Sequence, residues 1–211
     1  MAKIRIGIIG AGNMGGAFAK RLAAAGHDVA ITAKDPAHAE KAAAAAGGKA
    51  RAVPHNEIGR VADVLILATP YAAAADALRA AGDVSGKTVI DITNPLKPDM
   101  SGLTVGYTTS AGEEIQKAVP QARVVKAFNT IFAQVLGAER GERKAQVFFA
   151  GDDDRAKDAV RAVIESVGFE AVDAGSLANA RYLEPLGMLS IYLGYVGGRG
   201  TGIGPAFVAI A

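Results

Sequence analysis

The most constraining feature of this 211-residue chain is the run Gly10-Ala11-Gly12-Asn13-Met14-Gly15, because of what flanks it. Residues 4–9 are a short apolar run of strand type, and Met14, Phe18, Leu22 and Ala25 then recur at helical spacing until Gly26. A G-x-G-x-x-G match by itself is weak. Set between a strand and a helix, it is the arrangement a dinucleotide pyrophosphate requires. Gly10 and Gly12 let the backbone turn tightly and come close to phosphates, Gly15 lets the helix pack on the strand, and the helix N-terminus aims N–H groups at the anion. The plain alternative is a tight turn with no ligand.

The pattern that follows predicts a strand over 29–32, a helix over 36–46 opened by Pro36 and closed at Gly47-Gly48, a strand over 64–68 and a helix over 71–81. Strands over 88–92 and 123–127 enclose a helix over 111–119. The run Val64-Leu65-Ile66-Leu67-Ala68 is apolar throughout, as in strands covered on both faces. Alternation of this kind means a parallel sheet with right-handed crossovers. Beyond 128 the expectation is a strand over 146–150, a helix over 152–167, a strand over 169–173 and one long apolar helix over 176–196. The predicted fold is α/β: a Rossmann-type doubly wound parallel sheet in a domain of residues 1–137, then a small C-terminal α/β domain of 138–211 that includes the long apolar helix. The boundary falls near 137–143, where charge and glycine concentrate.

Composition narrows the chemistry. There is no cysteine, so a disulfide framework, a thiolate zinc site and a thiol nucleophile are excluded, and redox work must use a bound cofactor. Half of the residues are hydrophobic and 21% charged, an ordinary globular balance. Lys and Arg exceed Asp and Glu by only two and are spread along the chain, which argues against a nucleic-acid partner. No apolar stretch reaches the roughly 18–20 residues of a membrane span, and the N-terminus lacks a signal-peptide pattern. A soluble, cytoplasmic protein is expected.

The end of the second strand bears on which dinucleotide. An acidic residue there would bond the ribose hydroxyls of NAD; this chain has Ala33 followed by Lys34, a neutral residue and a cation, which suits the 2′-phosphate of NADP. Lys34 as a solvated loop cation offset by Asp35 is the alternative. Ser85-Gly86-Lys87-Thr88 has the ending of a phosphate-binding loop, but Ala81 stands where its first glycine should, so it reads as a turn. The three histidines all lie within the first 55 residues, away from the strand ends expected beside a nicotinamide. Those ends carry Thr69-Pro70, Thr93-Asn94-Pro95 and Asn129-Thr130, hydroxyls and amides that hold a ring but carry protons poorly. That composition suits hydride passing directly between two bound cofactors.

The glycine run, Asp91-Ile92-Thr93-Asn94-Pro95-Leu96, Val124-Val125-Lys126-Ala127-Phe128-Asn129-Thr130, Gly151-Asp152-Asp153-Asp154 and the stretch from Asp173 to Arg181 together resemble the NADPH-dependent coenzyme F420 reductases, to which the oxidoreductase domains of the STEAP metalloreductases are related. The resemblance covers nearly the whole chain. It implies NADP(H) on the glycine loop, a deazaflavin (coenzyme F420) or flavin beside the nicotinamide, and no catalytic side chain. It also assigns Ala11, Asn13 and Met14 to the pyrophosphate, Lys34 to the 2′-phosphate, Thr69 and Pro70 to the adenosine and ribose side, Asn94 and Pro95 to the nicotinamide, and Arg181 to the cleft. Asn129 stands where the archaeal enzymes carry a histidine facing the deazaflavin, and their paired arginines are reduced to Lys34 and Asp35. These departures leave FMN, FAD or another acceptor open beside F420.

Two other readings stay open. A small carbonyl or imine reductase would need Tyr71, Tyr182 or Lys126 in the cleft as proton donor; a non-catalytic NADP-binding regulator would have the cleft filled by its own side chains. Leu183, Leu186, Met188, Leu189, Ile191, Tyr192, Leu193, Tyr195 and Val196 leave the C-terminal helix little polar face, which predicts a homodimer through it.

Overall fold

The computed structural model describes residues 3–138 and 145–210. Among these residues eight strands form one sheet: β1 (Arg5–Ile9), β2 (Asp28–Thr32), β3 (Ala50–Ala52), β4 (Val64–Leu67), β5 (Thr88–Asp91), β6 (Arg123–Ala127), β7 (Gln146–Gly151) and β8 (Glu170–Asp173), in the spatial order 3-2-1-4-5-6-7-8. The first six are parallel and follow the doubly wound order, with the reversal between β1 and β4. β1, β4, β5 and β6 are buried almost end to end, as strands with helices on both faces must be.

The helices are α1 (Asn13–Ala24), α2 (Pro36–Ala46), α3 (Ile58–Val61), α4 (Tyr71–Arg79), α5 (Ala111–Ala118), α6 (Ala133–Gly137), α7 (Asp154–Ser166) and α8 (Ala180–Ile191). Their starts are locally encoded. Asp35 accepts from Ala37 N–H at 3.0 Å with Pro36 at the first position of α2, Ser110 accepts from Glu113 N–H, and Asp153 accepts from Ala156 N–H at 2.8 Å. One core, with Ile6, Ile8 and Ile66 from the sheet, packs under Phe18 and Leu22 of α1 and Val160 of α7. The other, with Ile9, Leu65 and Leu67, packs under Leu78 of α4 and Ile115 of α5.

Three expectations need correction. The sheet is not wholly parallel: β7 runs antiparallel to β6, with Val125 opposite Gly151, while β8 runs parallel to β7. A parallel β7 would require a crossover back to the opposite end of the strands; β7 instead re-enters the sheet beside β6 from the end at which β6 finishes, and among the described residues α6 is the helix of that connection. The C-terminal helix is not one apolar rod. A 3₁₀ turn, Leu177–Asn179, precedes α8, a π-helical turn, Tyr192–Val196, follows it, and Glu184 is buried on its inner side. The short β3, α3 and α6 were not foreseen. The boundary expected near 137–143 lies largely in residues outside those described, and β7 and β8 extend the same sheet as β1–β6. Among the described residues, no helix is long and apolar enough to cross a membrane.

His27, just before β2, is a buried polar link between the two ends of the fold. Its Nδ1 accepts from Ile4 N–H at 3.2 Å, and Nε2 lies 2.9 Å from Ser166 Oγ, which itself donates to Val163 O at 2.7 Å. The ring is therefore the neutral tautomer with its proton on Nε2. Burial lowers its pKa below the usual histidine value. The unfolded chain thus takes up a proton below about pH 6.5 that the folded chain resists, so stability is full above that pH and declines below it. Melting curves should show the midpoint falling as pH drops from 7 towards 5.5, with a flatter slope in His27→Gln; an unchanged slope would contradict this assignment.

Candidate functional site

The site is built where β1 stops. Gly10 takes a φ of +111°, donates its N–H to Thr32 O at 2.8 Å, and lies so close to β4 that a Cβ there would meet the carbonyl of Ala68. A Cβ on Gly15 would overlap the carbonyl oxygen of Gly10, so α1 sits directly on the bend. Gly12 is the N-cap of α1 and faces open space, with no side-chain cap and no acidic residue in the first turn. The first-turn N–H groups are left pointing outward at the positive end of the helix, an arrangement suited to an anion.

The bend separates two hollows. The first, of about 540 Å³, lies between the ends of β1, β2 and β4. Gly10, Ala11, Gly12, Ala33, Lys34, Thr69 and Pro70, all expected site residues, line it. His55, which sequence reasoning passed over, lines it too, with Nε2 2.8 Å from Ala77 O. The second, of about 350 Å³, lies beyond the ends of β5 and β6, beneath α8; Asn13, Met14, Asn94 and Asn129 line it. Of the other expected residues, Gly15 is buried in packing, and Pro95 is buried behind Asn94 and lines neither hollow. Arg181 stands apart. Its guanidinium grips Glu113 with contacts of 2.6 and 2.8 Å, holding that carboxyl below its usual pKa, and it borders a separate hollow with Tyr107 and Tyr182.

The second hollow is set by backbone strain and amide pairing. Phe128 has a φ of +60°, a costly conformation for a bulky residue, and is fixed there by edge-to-face contacts with Phe18 and Phe169 at 5.0 and 6.0 Å. The chain leaves β6 so that Asn94 and Asn129 face each other: Asn94 Nδ2 donates to Asn129 O at 2.8 Å, and Asn129 Nδ2 donates to Asn94 Oδ1 at 3.0 Å and to Leu183 O of α8 at 2.7 Å. Gly187 lets α8 settle on this pair, because a Cβ there would lie 2.6 Å from Asn94 Oδ1. Among the described residues, Thr69 Oγ1, Thr93 Oγ1 and Asn129 Oδ1 are buried without a hydrogen-bond partner, as is Asp91 Oδ2, which is in ion-pair contact with Lys126.

The proton donors needed by a carbonyl or imine reductase are elsewhere. Lys126 is wholly buried within an ion cluster, Tyr71 packs beside the α4 core with its phenol pushed up by burial, and Tyr182 borders the Arg181 hollow. Tyr195, stacked on Phe132 at 5.7 Å, is the titratable side chain lining the second hollow. No group of three or more His, Asp or Glu side chains suited to a metal occurs among the described residues.

Comparison with known proteins gives consistent results. Residues 5–95 match the family model described as NADP oxidoreductase, coenzyme F420-dependent. The F420-dependent NADP reductase of Methanothermobacter marburgensis is 32% identical over 202 residues, spanning 87% of this chain and 89% of its own. Rat Metalloreductase STEAP3 is 29% identical over 182 residues; the match covers 86% of this chain but 36% of the relative, so this chain spans little more than a third of that protein's length. A crystal structure from Arthrobacter sp. FB24, named as a candidate F420-dependent NADP reductase, superposes with a TM-score of 0.83 at 30% identity, over 94% of this chain and 96% of that one.

The neighbouring glycines of α1 should respond oppositely to the same change. Gly15→Ala forces the helix off the bend and should destabilise the fold by about 1–3 kcal/mol. Gly16, with open space around its Cα, should gain about 0.5–1 kcal/mol as Gly16→Ala through helix propensity. Denaturant melts of the two variants check this, and equal shifts would contradict the packing described.

Proposed function

The chain belongs to the family of F420-dependent NADP reductases and is an NADPH-dependent oxidoreductase; from that premise we propose that it passes hydride directly from NADPH to a deazaflavin or flavin ring held in the second hollow. The observation that carries this reading is the position of the glycine bend between two hollows: Ala11 and Gly12 line one, Asn13 and Met14 the other. A single dinucleotide crossing the bend would occupy both, with its pyrophosphate on the N-terminus of α1.

The residues present fit that ligand. The missing Cβ at Gly12 leaves room for phosphate oxygens, Lys34 at the rim of the first hollow supplies a cation for the 2′-phosphate, and the unpartnered Thr69 Oγ1 and Asn129 Oδ1 await donors or acceptors from adenosine and nicotinamide ends respectively. Asn129 spends both amide hydrogens on Asn94 and Leu183, so its Oδ1 acts only as acceptor, matched to a carboxamide N–H. Bound NADPH supplies the hydride, and the protein's contribution is orientation and exclusion of water, with α8 and Tyr195 covering the acceptor ring. Coenzyme F420 is the acceptor first indicated by the family; FMN and FAD are the alternatives.

The enzyme would work in the cytoplasm as a homodimer. α8 and the turn after it expose Tyr182 (73%), Leu189, Tyr192, Tyr195 (63%) and Val196, an apolar stripe that a second copy would cover while closing the mouth of the second hollow. A solution mass of one chain at working concentration would remove the dimer.

The test is to mix the protein and NADPH with coenzyme F420, FMN and FAD in turn and follow loss of nicotinamide absorbance. Turnover with at least one acceptor is expected, and Lys34→Ala should raise KM for NADPH about tenfold more than for NADH. Tight NADPH binding with no turnover would favour the regulator, and equal losses for both nucleotides would remove Lys34 from the 2′-phosphate. Tyr195→Phe discriminates the carbonyl or imine reductase: kcat within about twofold of wild type is expected, whereas a loss of about 10²-fold or more would mean a phenol donates a proton in the reaction.

A further inference from the structure

Lys126 lies at the middle of the sheet, directly across from Asp91 in the β5–β6 register, and both side chains are fully buried. Its ammonium is ion-paired with Asp91 Oδ2 at 2.6 Å and Glu184 Oε1 at 2.8 Å, and donates a hydrogen bond to the carbonyl of Thr93 at 2.8 Å. Burial alone would strip the proton, but the two carboxylates outweigh it and hold the lysine pKa above its usual value. Glu184 comes from α8, and its two oxygens also take the N–H groups of Ala111 and Gly112, the first residues of α5, at 2.9 and 3.1 Å. Asp91 Oδ1 takes Thr93 N–H at 2.9 Å. Thr93 is thus gripped through both of its peptide groups.

Buried charges are a costly way to stabilise a core, and neutral side chains of similar shape often do as well. Alongside the amide links of Asn94 and Asn129, this cluster ties the Thr93-Asn94 turn, β6, the start of α5 and α8 to one charged centre, and so fixes distances between them that a neutral core would leave to packing. One end holds the turn that presents Asn94 to the second hollow. The other end holds α8 at Glu184, one residue after the carbonyl that orients Asn129 and three before Gly187, which rests on the asparagine pair. The two walls of the hollow are therefore referenced to a single ammonium.

We propose that the Asp91–Lys126–Glu184 cluster is a positioning device for the nicotinamide end of the nucleotide, setting the separation of the Thr93-Asn94 turn from α8 while touching neither substrate nor the adenosine side. This rests on the reading that nicotinamide lies between Asn94 and Asn129. A displacement well under 1 Å at such walls is enough to cost orientation.

The test compares two ligands, NADPH and 2′-phospho-ADP-ribose, the same nucleotide without the nicotinamide, by titration calorimetry. In wild type NADPH should bind more tightly than the truncated ligand. The neutral, shape-matched variant Asp91→Asn/Lys126→Met/Glu184→Gln leaves no unpaired buried charge; it should bind 2′-phospho-ADP-ribose within about twofold of wild type while losing about tenfold of NADPH's advantage, and kcat with coenzyme F420 or FMN should fall more than KM for NADPH rises. Lys126→Arg keeps the charge but moves its head group, and should show the same selective loss should the triple variant not fold. Equal weakening of both ligands, or an intact NADPH advantage in either folded variant, overturns the proposal while leaving the reductase reading in place. A wild type that does not distinguish the two ligands removes the nicotinamide placement, and this proposal with it.

Discussion

The seating of α1 on the end of β1 governs the rest of the molecule. There is no space for a methyl group between Gly15 and the Gly10 carbonyl, nor between Gly10 and Ala68, so the helix N-terminus is pressed into the sheet's topological switch point. That contact orients unpaired N–H groups outward at the line where β1 and β4 diverge, and it divides the space there into two hollows of unlike character. The first is lined largely by small side chains, with Lys34, His55 and Asp76 among them, the second by amides, hydroxyls and apolar side chains. A nucleotide that must be recognised at one end and react at the other needs that division.

The second wall of the site depends on a different kind of constraint. Phe128 is held in a left-handed conformation by two aromatic neighbours, and the resulting bend turns Asn129 towards Asn94 and α8. Residues far apart in the chain, Asn94, Asn129 and Gly187, then share one small volume. Apolar packing holds α8 only in part: Leu183 and Leu186 lie against Phe148 and Ala150, while Glu184, Arg181 and the Leu183 carbonyl tie it by polar contacts to α5, Lys126 and Asn129.

Much of this was legible in the sequence where local signals are strong. The second helix and the strand over 123–127 fall at their expected limits: Pro36 and Gly47 mark the helix, and Val124-Val125 with Ala127 mark the strand. The glycine bend, Lys34, Thr69, Asn94 and Asn129 line the hollows as their strand ends predict, since in a doubly wound sheet those ends converge. What was hidden depends on contacts distant in sequence. Arg181 found Glu113, 68 residues away, in place of the cleft, and a basic residue carries no mark of its partner. The direction of β7 is set by the connection before it, which hydrophobic pattern does not report. Lys126 within the run Val124-Val125-Lys126-Ala127 did carry a signal, a lone charge in a buried strand, that requires a buried counter-charge.

The central claim is that hydride leaves the nicotinamide for a neighbouring ring without a protein group between them. NADPH carrying deuterium at the transferred position of its nicotinamide, incubated with the protein and coenzyme F420 in ordinary water, tests this directly, because a deazaflavin accepts hydride on carbon and keeps the label. Mass spectrometry of the reduced deazaflavin should show one deuterium per molecule reduced. Reduced deazaflavin without deuterium, with the label recovered in the solvent, would contradict the account.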